Sequence, residues 1–175
     1  NNPKNYRPIA VTSLQARTLD KVILVELQKV MSNTEDKNQF AYKSNFSTTD
    51  ALLLINNSIL QSLDKSPGAM VKTVFIDYSS AFNTVLQKQL LNLINNQNGM
   101  FAQWLHSYMD GWNQSVKAHK NKTSTRKELI VGIPQGGPLS AKLFTYITDV
   151  INNRTLHLKN DSGIIIKYSD DTSLT

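Results

Sequence analysis

The residues best suited to chemistry in this sequence are aspartates placed where apolar runs end. "GIIIKYSDDTSLT", residues 163–175, leads three isoleucines and Tyr168 into Ser169 and the adjacent pair Asp170 and Asp171. Two neighbouring carboxylates repel and raise each other's pKa unless a cation shares them. An aspartate doublet alone carries little weight. With ten Asp in the chain, chance supplies one in roughly every second sequence of this kind, and a solvated hairpin turn accounts for it. A second stretch, "VFIDYSSAF", puts Asp77 where another apolar strand gives out, a place that also suits a helix N-cap. If the two strands are neighbours in one sheet, three carboxylates converge at its end. Such a set binds divalent cations through oxygen, the preference of Mg²⁺, and two ions about 4 Å apart serve in-line phosphoryl transfer. A third stretch, "GIPQGGPLS" at residues 132–140, has Gly136 and Gly137 to let backbone approach a ligand closely, and Gln135 to donate and accept. It reads equally as a loop that starts a helix.

The elements that must position these residues are legible from periodicity. Leu19, Ile23, Leu27 and Val30 recur at helical spacing in "SLQARTLDKVILVELQKVMS". Ser47, three residues before Asp50, opens a second helix as a variant capping box, with apolar Leu52, Ile55, Ile59 and Leu63 and a stop at Ser66-Pro67-Gly68. "AMVKTVFIDYS" is β-branched and aromatic with few polar breaks, which predicts a strand covered on both faces. Helices are predicted around 86–95 and 101–112, a basic hairpin turning near 121–124, and a helix at about 139–152. "GIIIKY" is the last strand, and the strand returning from it has too few residues to form more than a stub. Helices and strands mix without regular βαβ alternation, so the fold class is α+β.

Composition narrows the partners. Lys plus Arg number 19 against 13 Asp plus Glu, a net charge of +6 that suits a polyanion such as nucleic acid. A 40% hydrophobic content over 175 residues is enough for a folded core. The absence of cysteine excludes a disulfide framework and a thiolate zinc site. No apolar run approaches the ~20 residues of a membrane helix, and the first residues lack the apolar core of a signal peptide. The expectation is an intracellular protein of nucleus or cytoplasm, not secreted and not in the membrane. Nothing in the sequence indicates its oligomeric state.

Taken in order, "NYRPIAVTS", "QFAYKSNFSTTDALL", "FIDYSSAF", "PQGGPLS" and "YSDD" resemble the reverse transcriptase domain of non-LTR (LINE-type) retrotransposons. The likeness spans nearly the whole chain, and five ordered motifs are far more specific than any one. It implies the right-hand polymerase fold, with an antiparallel palm sheet and packed helices. Residues 1–70 would be the N-terminal part of the fingers and 71–99 the first part of the palm. Residues 100–131 would be a helix and basic hairpin inserted between them, and 132–175 the second part of the palm. The thumb would be absent, as in a truncated fragment.

By that resemblance Asp77, Asp170 and Asp171 are the catalytic acids and, with the backbone carbonyl of Tyr78, the ligands of two Mg²⁺ ions, with Mn²⁺ as a substitute. Phe82, five positions after Asp77, would be the steric gate that favours dNTPs. Gln135 and Gly136 would line the nucleotide pocket, and Arg7 and Lys43 would meet the triphosphate. Lys117, Lys120, Lys122, Arg126 and Lys127 on the hairpin would track an RNA template or DNA primer. Three positions depart from the family pattern. Phe46 stands where Arg is usual before the "ST", Ala141 where Pro is usual, and Asn83 where Asp is common. The implied function is RNA-directed DNA polymerase. The alternatives are a catalytically inactive remnant that at most binds nucleic acid, and a small α+β protein with no nucleic-acid role.

Overall fold

The computed structural model describes residues 6, 8–31, 35–118, 122–155 and 163–175. Among the described residues five α-helices, α1 (Leu14–Met31), α2 (Thr48–Leu63), α3 (Gln87–Asn95), α4 (Gly99–Met109) and α5 (Pro138–Thr155), combine with two small sheets. The larger has strands β1 (Val74–Ile76), β4 (Ile165–Tyr168) and β5 (Asp171–Leu174) in the order β1-β5-β4, all antiparallel. The smaller pairs β2 (Asn113–Gln114) with β3 (Lys127–Glu128). The α+β expectation is met.

Helix α1 keeps the 3.6-residue stripe but turned slightly from the predicted one. Asp20, Ile23, Leu27 and Met31 are buried, whereas Leu19 stays exposed. Their core is shared by Leu90 and Ile94 of α3, Leu105 and Met109 of α4, and Leu139, Leu143 and Tyr146 of α5. Apolar side chains so enclosed contribute about 1.5–3 kcal/mol each relative to exposure. A second, smaller cluster joins Phe40, Ala51 and Ile166, with Leu54 and Ile55 of α2 against it. Helix α2 thus turns Ala51, Leu54 and Ile55 inward and leaves Leu52, Leu53 and Leu63 exposed, which corrects the predicted stripe. Its main contact with another element is with the strand β4.

The capping box at α2 forms in both directions. Asp50 N–H bonds the Ser47 hydroxyl oxygen, and the Asp50 carboxylate accepts from the Ser47 backbone at 2.8 Å. The Ser47 hydroxyl and then its backbone N–H hold the Asp50 carboxyl below its ordinary value of 3.8. A lowered acid contributes stability that is present above 3.8 and lost as the pH falls through its folded value. Asp50→Ala is therefore expected to lower the melting temperature at neutral pH, with the difference from the wild type shrinking as the pH falls below 3.8, as read by thermal circular dichroism.

Two strand expectations are corrected. β1 is not covered on either face: Val74 and Ile76 are exposed, and Phe75 is 75% exposed. It is the outer strand of the sheet, and α2 packs on β4 at the opposite side. The returning strand β5 does form and lies in the middle, paired along its length to β4 and β1. Four residues suffice because backbone bonds on both edges hold them. The basic hairpin is present, with Lys117 bridged to Thr123 and Ser124 N–H bonded to the Val116 carbonyl at 2.9 Å.

Candidate active site

Register decides where the acids go. β1 and β5 pair Val74 with Leu174, Phe75 with Ser173 and Ile76 with Thr172. β1 ends at Ile76 and its partner β5 begins at Asp171, so Asp77 leaves β1 at the end where β5 starts. On the other side Tyr168 pairs with Asp171 and closes a hairpin whose loop is Ser169–Asp170. All three aspartates therefore leave the same end of the sheet, and Tyr78 follows directly. None forms an ion pair with a described residue. Their side chains are not drawn into one ligand set: among the described residues no three acidic, histidine or cysteine side chains are gathered to hold a metal.

Several other acids of the chain are spoken for. Asp149 on α5 and Asp36 grip the Lys167 ammonium from 2.9 and 2.8 Å, and Glu35 holds Lys142 at 2.6 Å. Asp20 accepts from the Tyr108 hydroxyl, which burial and then that carboxylate hold well above the ordinary phenol value. The three aspartates at the sheet end, like Asp64, Asp110 and Glu128, have no ion pair among the described residues. By type, carboxylate oxygens and the Tyr78 carbonyl suit a hard divalent cation, and the three side chains would have to converge to hold one.

The surrounding loops are built onto this end. A 3₁₀ turn (Ala81–Thr84) follows Asp77 and buries Phe82, whose ring stacks on Phe144 of α5 at 4.5 Å. Phe82 is thus a member of the core. Gly132 N–H bonds the Val85 carbonyl and Ile133 N–H the Phe82 carbonyl, fastening the "GIPQGG" loop to that turn. Gly132 has φ +88, and a Cβ there would lie 3.0 Å from the Asn83 carbonyl oxygen, so the position needs glycine. The Gln135 carbonyl accepts from Ala10 N–H at 2.7 Å. At Gly136, φ +128, a Cβ would meet the Ala10 carbonyl oxygen at 3.3 Å.

Lys43 is half-buried and donates to the Asp36 carbonyl at 2.6 Å, with its ammonium 5.9 Å over the Phe46 ring. Phe46 in turn meets Phe40 edge-on at 5.5 Å. The aromatic residue at the position where Arg is usual therefore supports a lysine. Lys117, Lys122, Arg126 and Lys127 are exposed on the hairpin. Arg7 and Lys120 lie outside the described residues.

Sequence reasoning used "QFAYKSNFSTTDALL" as a motif but gave its first residue, Gln39, no role in gripping the hairpin. Asn38 and Phe40 bond the Lys167 backbone at 2.8 and 2.9 Å, adding a short parallel bridge to β4. Gln39 and Lys167 are each 1% exposed. One signal was available, a single lysine inside the apolar run "IIIKY"; a charge there must find a buried partner. For Gln39 nothing local announces its contact with Ser169, which lies 130 residues away.

The sequence profile of the reverse transcriptase (RNA-dependent DNA polymerase) family matches residues 1–175. The chain belongs to that family. Along the sequence this reverse transcriptase chain is 25% identical over 178 residues to the probable RNA-directed DNA polymerase from transposon BS of Drosophila melanogaster. The match covers 99% of the chain and 19% of that protein, so the chain spans about a fifth of the relative's length. In structure it is similar to telomerase from Candida albicans in complex with a fragment of telomeric RNA, at TM-score 0.60 and 13% identity. That superposition covers 91% of this chain and 30% of the telomerase. Apo telomerase from Candida tropicalis follows at TM-score 0.53 and 14% identity, covering 91% of this chain and 30% of that one. At such identities the likeness is one of fold.

Proposed function

We propose that this chain is the fingers and palm of an RNA-directed DNA polymerase, adding dNTPs to a primer 3′-OH on an RNA template. The observation that carries the reading is the β1–β5–β4 register, which sends Asp77, Asp170 and Asp171 out of one sheet end in a chain of this family. These acids, with the Tyr78 carbonyl, would hold two Mg²⁺ ions. Bound there, the ions supply Lewis acidity at the primer hydroxyl and at the triphosphate.

The chain's own residues do the rest by position. Phe82, locked against Phe144, forms a rigid floor that leaves no room for a 2′-OH beneath the incoming sugar. The backbone of Gln135 and Gly136, held by Ala10, lines the nucleotide pocket. Lys43, fixed by the Asp36 carbonyl with two donors to spare, neutralises phosphate charge together with Arg7. The hairpin lysines and Arg126 follow the nucleic-acid backbone.

The competing reading, a remnant that binds without catalysis, is favoured by Phe46 in place of an arginine. The two are separated by one sample: gel shift on an RNA–DNA primer–template, and Mg²⁺-dependent dNTP incorporation on the same duplex, using the longest polypeptide that carries this segment. Binding that weakens steeply with salt, together with incorporation, is the expected result. Binding without incorporation assigns the remnant. No binding even at low salt overturns both.

A further inference from the structure

We propose that Gln39 is a positioning residue for the acidic turn, tying the geometry of the metal-binding rim to the segment at residues 36–42. This rests on the reading of that rim as the metal site. The Gln39 carboxamide meets the backbone of Ser169 at both of its groups. Its Nε2 donates to the Ser169 carbonyl at 3.2 Å, and its Oε1 accepts from Ser169 N–H at 3.0 Å. The same Oε1 also accepts from Ala41 N–H at 3.1 Å, which fixes the amide on its own side.

This contact continues a ladder past its end. Up to Lys167 the segment pairs with β4 through its own backbone, by Lys167 N–H to the Asn38 carbonyl and Phe40 N–H to the Lys167 carbonyl. Beyond that point the hairpin turns, and Ser169 takes the left-handed conformation at φ +61. No strand can follow it there. A planar side-chain amide presents one donor and one acceptor, the same pair that a strand edge would offer. The Tyr42 hydroxyl adds a bond to the Ser169 Oγ at 2.9 Å.

Ser169 is the residue before Asp170 and two before Asp171, so its backbone orientation directs both carboxylates. A non-glycine residue at positive φ persists only where its surroundings hold it. Gln39 supplies that restraint from a buried position, and the effect should reach the metal as outer-shell partners do.

The test is Mn²⁺ titration of the chain, followed by water-proton relaxation, alongside hydrogen exchange at the Ser169 amide. Gln39→Leu is expected to weaken Mn²⁺ binding about tenfold or more and to speed Ser169 exchange selectively. Leu27→Ala, a core change away from the sheet end, should lower the melting temperature while leaving Mn²⁺ affinity within about twofold, since distant sites act independently. Unchanged affinity in Gln39→Leu, or an equal loss in Leu27→Ala, overturns the proposal. Should Gln39→Leu fail to fold, Tyr42→Phe, which removes only an exposed hydroxyl, must show a smaller but selective loss; without it the proposal falls. Asp170→Asn keeps the two claims apart. If that variant binds Mn²⁺ normally, the metal site itself is misassigned. If it loses binding and Gln39→Leu does not, only the role of Gln39 is wrong.

Discussion

Replacing Asp170 with asparagine is expected to cut Mg²⁺-dependent dNTP incorporation by on the order of a thousandfold or more, with primer–template binding little changed. Asparagine keeps the size of the side chain and removes its charge. The loss then falls on whatever the charge was holding. Asp170 has no ion pair with a described residue and sits in a two-residue loop, so little of the fold depends on its carboxylate. Asp77→Asn should behave alike, because Asp77 leaves the same sheet end as Asp170 and Asp171. The two losses should not add: removing either ligand already dismantles one site, as for groups that act as a unit. The measurement is single-turnover primer extension beside filter binding of the same duplex. Incorporation by Asp170→Asn at the wild-type rate would place catalysis elsewhere.

The second large effect is on stability. Lys167→Ala is expected to cost about 3–5 kcal/mol, because it leaves Asp149 buried without its cation. For a chain of this size that corresponds to a melting temperature lower by roughly 6–20 °C. Asp149 and Lys167 are each 1% exposed, and Asp36 is the only partly open member of the triad. Burial already pushes the Asp149 carboxyl up from its ordinary value of 3.8, with Lys167 pulling it back. Without Lys167 that upward push loses its largest opposing influence. A carboxyl raised in the folded state costs stability above its folded pKa, and that cost is relieved as the pH falls toward 3.8. The deficit of Lys167→Ala should therefore shrink on mild acidification. The pair Lys167→Met with Asp149→Leu should recover much of the loss, since it leaves no fully buried charge and Asp36, the remaining member, is partly open to water. Thermal melts of the three proteins at two pH values read all of this. A Lys167→Ala chain as stable as the wild type would show that the triad contributes nothing.

Lys167 also shows how stability and the candidate site are joined. Its side chain binds α5 and Asp36, while its backbone pairs with the segment that carries Gln39. Three residues further on stands Asp170. Loosening the triad should therefore disturb the acidic turn as well as the fold.

Much of this was legible along the chain. The apolar period of α1, the Ser47–Asp50 cap and the two runs ending in aspartate are short-range patterns. They follow from side-chain spacing and local hydrogen bonding within a few residues. The order of five motifs supplied the family. What the chain could not display was which surfaces meet. Only the tertiary structure placed β5 between β1 and β4, left β1 exposed at the edge, buried Asp20 in place of Leu19, and set Phe82 into the core. It alone brought Gln39 to Ser169 and Lys167 to Asp149 and Asp36. The reason is physical: strand order and buried polar pairing depend on closing loops of tens of residues against competing partners. That outcome is decided by the packing of the whole molecule, which no short window of sequence contains.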